Sequence, residues 1–132
     1  MRKPTSGSLR SPLGRVLGLG SAKAGAEHWW LQRLTAVALV PLMLWFVASL
    51  IGHLGSDYVT AVLWLKSPVP AIALILVILA GFAHMALGLQ VVIEDYIHHE
   101  GVKIAALIAA RLASWALAAA GLFAVLRVAF GG

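Results

Sequence analysis

Residues 82–99, FAHMALGLQVVIEDYIHH, carry an apolar helical run into an acidic-aromatic end and place one histidine deep inside the run. Asp95 lies eleven residues beyond His84. At 1.5 Å per residue that sets the histidine roughly 16 Å below the helix end, about half of a ~30 Å hydrocarbon core. His84 is therefore expected near the bilayer midplane, where an ionisable side chain is costly and marks a functional site. At 100° per residue, Asp95, Gly88 and Gly81 fall within about 20°, 40° and 60° of His84. One face thus gathers a histidine, an acid and two glycines. Glycines there admit either a flat cofactor or a second helix close to the backbone. The spacing leaves two readings open: a packing face whose histidine hydrogen-bonds a neighbouring helix, and a cofactor ligand.

Composition agrees with a membrane setting. Hydrophobic residues make up 61% of the 132, charged residues 11%, and the mean hydropathy is +0.94. Such a chain lacks the polar surface that an ordinary soluble domain of this size needs. Three runs, at about 34–53, 69–93 and 104–130, are long enough to span, since a helix needs about 20 apolar residues to cross. The expected fold class is an all-α membrane protein with three transmembrane helices, residues 54–68 serving as the first connection. Residues 1–26 read as a basic N-terminal arm and 27–132 as a single three-helix transmembrane domain. Three helices with small-residue faces and intramembrane polar groups bury little of themselves, which points to a subunit of a larger assembly. There is no cysteine, so disulfides, iron–sulfur ligation and thiolate metal sites on this chain are excluded.

Charge gives the orientation. Arg2, Lys3, Arg10, Arg15, Lys23 and Arg33 precede the first span, whereas the 54–68 connection holds only Lys66. The N-terminus is then expected in the cytoplasm, with Glu94, Asp95 and Tyr96 emerging on the same side. This topology and attraction to anionic lipid account for the net charge of +5, and no nucleic-acid partner is implied. The acid-free arm overlaps in composition with a mitochondrial presequence, but Pro4, Gly7, Pro12, Gly14, Gly18 and Gly20 would interrupt an amphipathic helix. A bacterial inner membrane is expected over a mitochondrial one, with no cleaved secretory signal.

Other polar and aromatic residues read as follows. Trp29 and Trp30 suit the headgroup boundary. Arg33 opens the first apolar run and either snorkels to phosphate or reaches a buried anion. Pro41 is expected to kink the first helix. His53 lies twenty residues past Arg33, roughly 30 Å away at the outer surface and about 15 Å from the level of His84. His28, His98 and His99 lie near the inner interface and are equally displaced. A second axial ligand to a metal at His84 must therefore come from another chain. Arg111, followed one turn later by Ser114, either snorkels inward or pairs with a buried anion. Arg127 reads as an interface anchor, and Glu100 and Lys103 as markers of the last helix start.

The run His84-x-x-x-Gly88-x-Gln90-Val91-x-x-x-Asp95-Tyr96, with Arg33-x-Thr35-Ala36 opening the first span, resembles the small hydrophobic membrane anchor subunits of succinate dehydrogenase. The longer segments 28–36 and 93–98 are similar to the alphaproteobacterial and mitochondrial-type form. The resemblance covers about residues 25–105 and the three-span layout. It implies a non-catalytic subunit that anchors a flavoprotein and an iron–sulfur subunit and packs against a cytochrome b subunit. It further implies a shared haem b, with His84 as one axial ligand to the iron and the cytochrome b subunit supplying the other. Asp95 and Tyr96 would help form the ubiquinone pocket, and Arg33 would lie near the haem propionates or bound lipid. His98, His99 and Arg111 receive no role from it. A neutral imidazole at mid-depth suits haem, and a phenol beside a carboxylate at the interface suits a quinone that takes up protons. The competing expectations are a haem-free structural or assembly anchor and a fumarate reductase anchor. A small proton-coupled transporter component is disfavoured by the lack of broken-helix pairs or inverted repeats.

Overall fold

The computed structural model describes residues 24–131 together with Leu13 and Val16. Apart from those two positions and its last three residues, which open the first helix, the expected basic arm lies outside the described residues. The chain runs α1 (Ala24–Gly52), α2 (Tyr58–Lys66), α3 (Pro68–Tyr96) and α4 (Glu100–Phe130). Three of these, over Gly25–Gly52, Pro68–Tyr96 and Glu100–Phe130, are long and apolar enough to cross a membrane. The protein is a multi-pass, all-α membrane protein.

The helices outrun the apolar runs that announce them. The 29 residues of α3 measure about 44 Å, against a hydrocarbon core of ~30 Å. Backbone hydrogen bonding does not stop where apolar side chains do, so the helix continues through the headgroup layer. Glu27 in the first turn of α1 suits the positive end of the helix dipole. Ser67 precedes α3, with Pro68 in its first turn, where the missing N–H costs nothing. His99 stands at the N-cap of α4, its Nδ1 accepting from the Val102 N–H at 3.4 Å. α1 continues through Pro41.

Residues 54–68 read from sequence as a plain connection. The structure instead folds nine of them into α2. The chain turns after α1 through Gly55, whose φ of +82° is open to glycine at little cost. Trp64 of α2 then stacks on Trp45 of α1, centroids 6.1 Å apart, and meets the His53 ring at 4.5 Å. The short helix, which hydropathy alone does not mark, also packs against α3 and α4.

α3 is the central element. α1 and α4 each pack along it, and among the described residues no packing joins α1 to α4. The α3–α4 seam is built from small side chains: Ser114 is 3% exposed and Ala118 8%, and Gly121 sits where an added Cβ would come 3.3 Å from Ile78 Cδ1. Close backbone approach is the usual source of helix association in lipid, where apolar burial gains little. Large residues such as Leu34, Leu44, Ile108 and Leu112 remain exposed, leaving much surface for lipid or further protein.

Candidate functional site

His84 lies on α3 past its middle, half-buried, and is reached by Thr35 of α1. Thr35 Oγ1 sits 3.1 Å from His84 Nδ1. The same hydroxyl oxygen lies 2.8 Å from the Leu31 carbonyl and 3.1 Å from that of Gln32. The bond to Leu31, one turn back, is the local partner that a threonine finds within its own helix. Thr35 thus occupies one nitrogen of the ring and ties α1 to α3 at the level of the histidine.

The glycines beside His84 serve nothing inside the chain. A Cβ added at Gly81 or Gly88 would meet no atom within 4 Å. Gly121 differs, because there the missing side chain admits Ile78. The His84 face of α3 is consequently bare backbone on a surface the chain itself leaves open, with a half-buried imidazole beside it.

Asp95 and Tyr96 end α3, both exposed, about 16 Å and 18 Å along the helix from His84. Among the described residues neither side chain makes a hydrogen bond within the chain, and Tyr96 is 80% exposed. Arg33 is exposed and lies over the Trp29 ring, 5.5 Å from its centroid, a cation–π contact. Trp29 meets Trp30 edge-on at 5.3 Å.

The remaining histidines are accounted for separately. His53 donates from Nδ1 to the Ser49 carbonyl at 2.8 Å beyond the far end of α1. His28 leaves its Nε2 buried without a partner, His98 is exposed between α3 and α4, and His99 caps α4. Among the described residues no three His, Cys, Asp or Glu side chains converge as a metal site.

Among the described residues Arg111 pairs with no anion directly. Its Nη2 donates to Gln90 Oε1 at 3.1 Å, and Gln90 Nε2 donates to Glu94 Oε1 at 2.9 Å. A neutral amide therefore joins the guanidinium to the carboxylate. Glu100 and Lys103, expected only to mark the helix start, approach to 3.5 Å, the one ion pair among the described residues. Beside Arg111 a cleft of about 510 Å³ opens where α1 and α4 diverge, lined in part by Leu31, Thr35, Ala86, Gln90, Arg111 and Ser114. Ala86 and Gln90 each lie two residues from Gly88, about 200° round α3. The cleft and the glycines of the His84 face therefore lie on different sides of α3, and Thr35 borders the cleft as well as the His84 ring.

The family model for the succinate dehydrogenase/fumarate reductase transmembrane subunit matches residues 7–126. The chain belongs to this family. It is 38% identical over 107 residues to the succinate dehydrogenase hydrophobic membrane anchor subunit of Rickettsia bellii, covering 80% of this chain and 85% of that one. To the subunit of the same name from Paracoccus denitrificans it is 32% identical over 114 residues, covering 86% and 88%. The succinate dehydrogenase membrane anchor subunit of Reclinomonas americana is 28% identical over 101 residues, covering 74% and 84%. No solved structure matches the chain. As a family member with three spanning helices, the chain is a succinate dehydrogenase-type membrane anchor.

Sequence reasoning singled out His84, Gly88, Asp95 and Tyr96 but gave Thr35 no part beyond the motif it belongs to. The available signal was a hydroxyl just inside an apolar run; its partner, 49 residues away, is invisible to periodicity.

Proposed function

We propose that this chain is the anchor subunit of a succinate:ubiquinone oxidoreductase, contributing His84 as one axial ligand of a haem b and Asp95 and Tyr96 to the ubiquinone pocket. A cytochrome b subunit supplies the second ligand, and the iron–sulfur and flavoprotein subunits dock on the Asp95 side. The N-terminus lies in the cytoplasm of a bacterium, and the chain itself catalyses nothing.

The observation that carries this reading is the open His84 face. A Cβ at Gly81 or Gly88 would meet no atom of this chain within 4 Å, which leaves room there for a group from outside. The donor set fits haem: Nδ1 of His84 is engaged by Thr35 while the other ring nitrogen remains to bind iron, the usual division of labour in a metal-bound imidazole. Haem would supply a one-electron carrier near the quinone site. Tyr96 offers a phenol to hydrogen-bond a quinone carbonyl, Asp95 a carboxylate to exchange protons beside it, and Arg33 a cation for a propionate or a lipid phosphate.

A difference spectrum of the detergent-solubilised complex, captured by a tag on this chain and recorded before and after adding succinate, tests the proposal. A b-type band that appears with succinate and is lost or shifted in His84→Ala agrees with it. An unchanged haem spectrum in His84→Ala means that His84 is no ligand. A second reading draws on the Thr35 contact: His84 acts only as a cross-helix clamp in a haem-free anchor. It requires a complex colourless in the haem region and tolerance of His84→Gln.

A further inference from the structure

We propose that the Thr35 hydroxyl is a positioning residue that fixes the proton of His84 on Nδ1 and thereby strengthens Nε2 as an electron donor to a metal. The inference rests on the reading of His84 as an axial ligand and deepens it.

Proton accounting at one oxygen leads there. Thr35 Oγ1 has a single proton and three close neighbours: the Leu31 carbonyl at 2.8 Å, the Gln32 carbonyl at 3.1 Å and His84 Nδ1 at 3.1 Å. The two carbonyls can only accept. If the hydroxyl donated to Nδ1, its oxygen would face the Leu31 oxygen at 2.8 Å with no hydrogen between them, lone pair against lone pair. If the proton instead goes to Leu31, the shortest of the three contacts, the oxygen turns a lone pair toward the ring, and Nδ1 must carry the hydrogen. A neutral imidazole has one N–H. Nε2 is then left with its lone pair free.

The chain of bonds runs in one direction, from His84 Nδ1–H to Thr35 Oγ1 and from Thr35 O–H to the Leu31 carbonyl. A hydroxyl that donates is a better acceptor, so the two bonds reinforce each other. An acceptor on the far side of a ligating imidazole raises its basicity and holds the ring in place. More electron density at Nε2 favours the oxidised, more positive iron, so the intact pair sets a lower reduction potential. Thr35 also sits on α1 while His84 sits on α3, which couples the ring orientation to the packing of these two helices.

The test uses the whole complex carrying Thr35→Val, Thr35→Ser, His84→Ala or the native chain. It reads the haem midpoint potential by redox titration and the g values of the oxidised iron by electron paramagnetic resonance. Valine keeps the shape of threonine and removes the hydroxyl. The expected result is a more positive midpoint and displaced g values in Thr35→Val, with Thr35→Ser returning both. Should Thr35→Val fail to retain haem, recovery by Thr35→Ser also supports the inference, and failure of serine to recover it overturns the idea. A haem-loaded Thr35→Val with native potential and g values refutes it as well. If His84→Ala leaves the native spectrum intact, the ligand reading falls and the Thr35 role with it.

Discussion

Gly81 and Gly88 should behave in the opposite way to Gly121 when filled. Gly88→Leu adds a side chain where a Cβ meets nothing within 4 Å, whereas Gly121→Leu adds one where Ile78 already stands at 3.3 Å. Within the chain, Gly88→Leu should cost nothing and gain up to about 1 kcal/mol of helix propensity. Gly121→Leu should cost about 1–3 kcal/mol as overpacking of the α3–α4 seam. If a haem or a partner helix lies on the His84 face, Gly88→Leu meets that same overpacking cost between molecules, about 5- to 150-fold in occupancy. Immunoblotting of membranes reports how much chain persists, and haem absorbance per captured chain reports the occupied face. Gly88→Leu should keep native chain levels and lose haem or partner. Gly121→Leu should lower chain levels, and the chain that survives should still carry haem. Gly81→Leu should follow Gly88→Leu. Full haem and partner content in Gly88→Leu would show that the face looks onto lipid, and the case for an occupied His84 face would collapse.

Tyr96→Phe removes one exposed phenolic hydroxyl without touching the packing of α3, and should slow quinone reduction about 3- to 10-fold, the worth of one hydrogen bond. Succinate oxidation by an artificial acceptor should stay native, and parallel loss of both rates would argue against a quinone contact. Arg111→Leu cuts the bond to Gln90 beside the cleft, and should leave the haem spectrum and midpoint unchanged because that bond touches neither Thr35 nor His84; a shifted midpoint would mean that the cleft, which Thr35 also lines, communicates with the His84 face.

Much of the site's layout could be read along a single helix. Placing His84, Gly81, Gly88 and Asp95 on one face needs only the 3.6-residue period, and α3 is unbroken from Pro68 to Tyr96, so that the register holds. The short helix α2 escaped because its apolar residues, bracketed by Asp57 and Ser67, are too few to span, and what places them is tertiary: packing on α3 and α4 and the contacts of Trp64 with Trp45 and His53. From its sequence context Arg111 either snorkels inward or pairs with a buried anion, because charge dominates there. Its partner is a neutral amide on the neighbouring helix, and sequence distance hides that choice.

The sequence by itself determined the solvent, the number of spans, the place of His84 along its helix and the residues that share its face, because hydropathy and helical period are properties of a chain read in one dimension. Only the tertiary structure decided which glycines fill a need inside the chain and which leave a face bare, and only it brought Thr35 to the histidine ring. Those outcomes depend on how α1 and α4 lie against α3. That packing is fixed by close approach of small side chains and by hydrogen bonds between distant residues, neither of which leaves a periodic trace in the sequence.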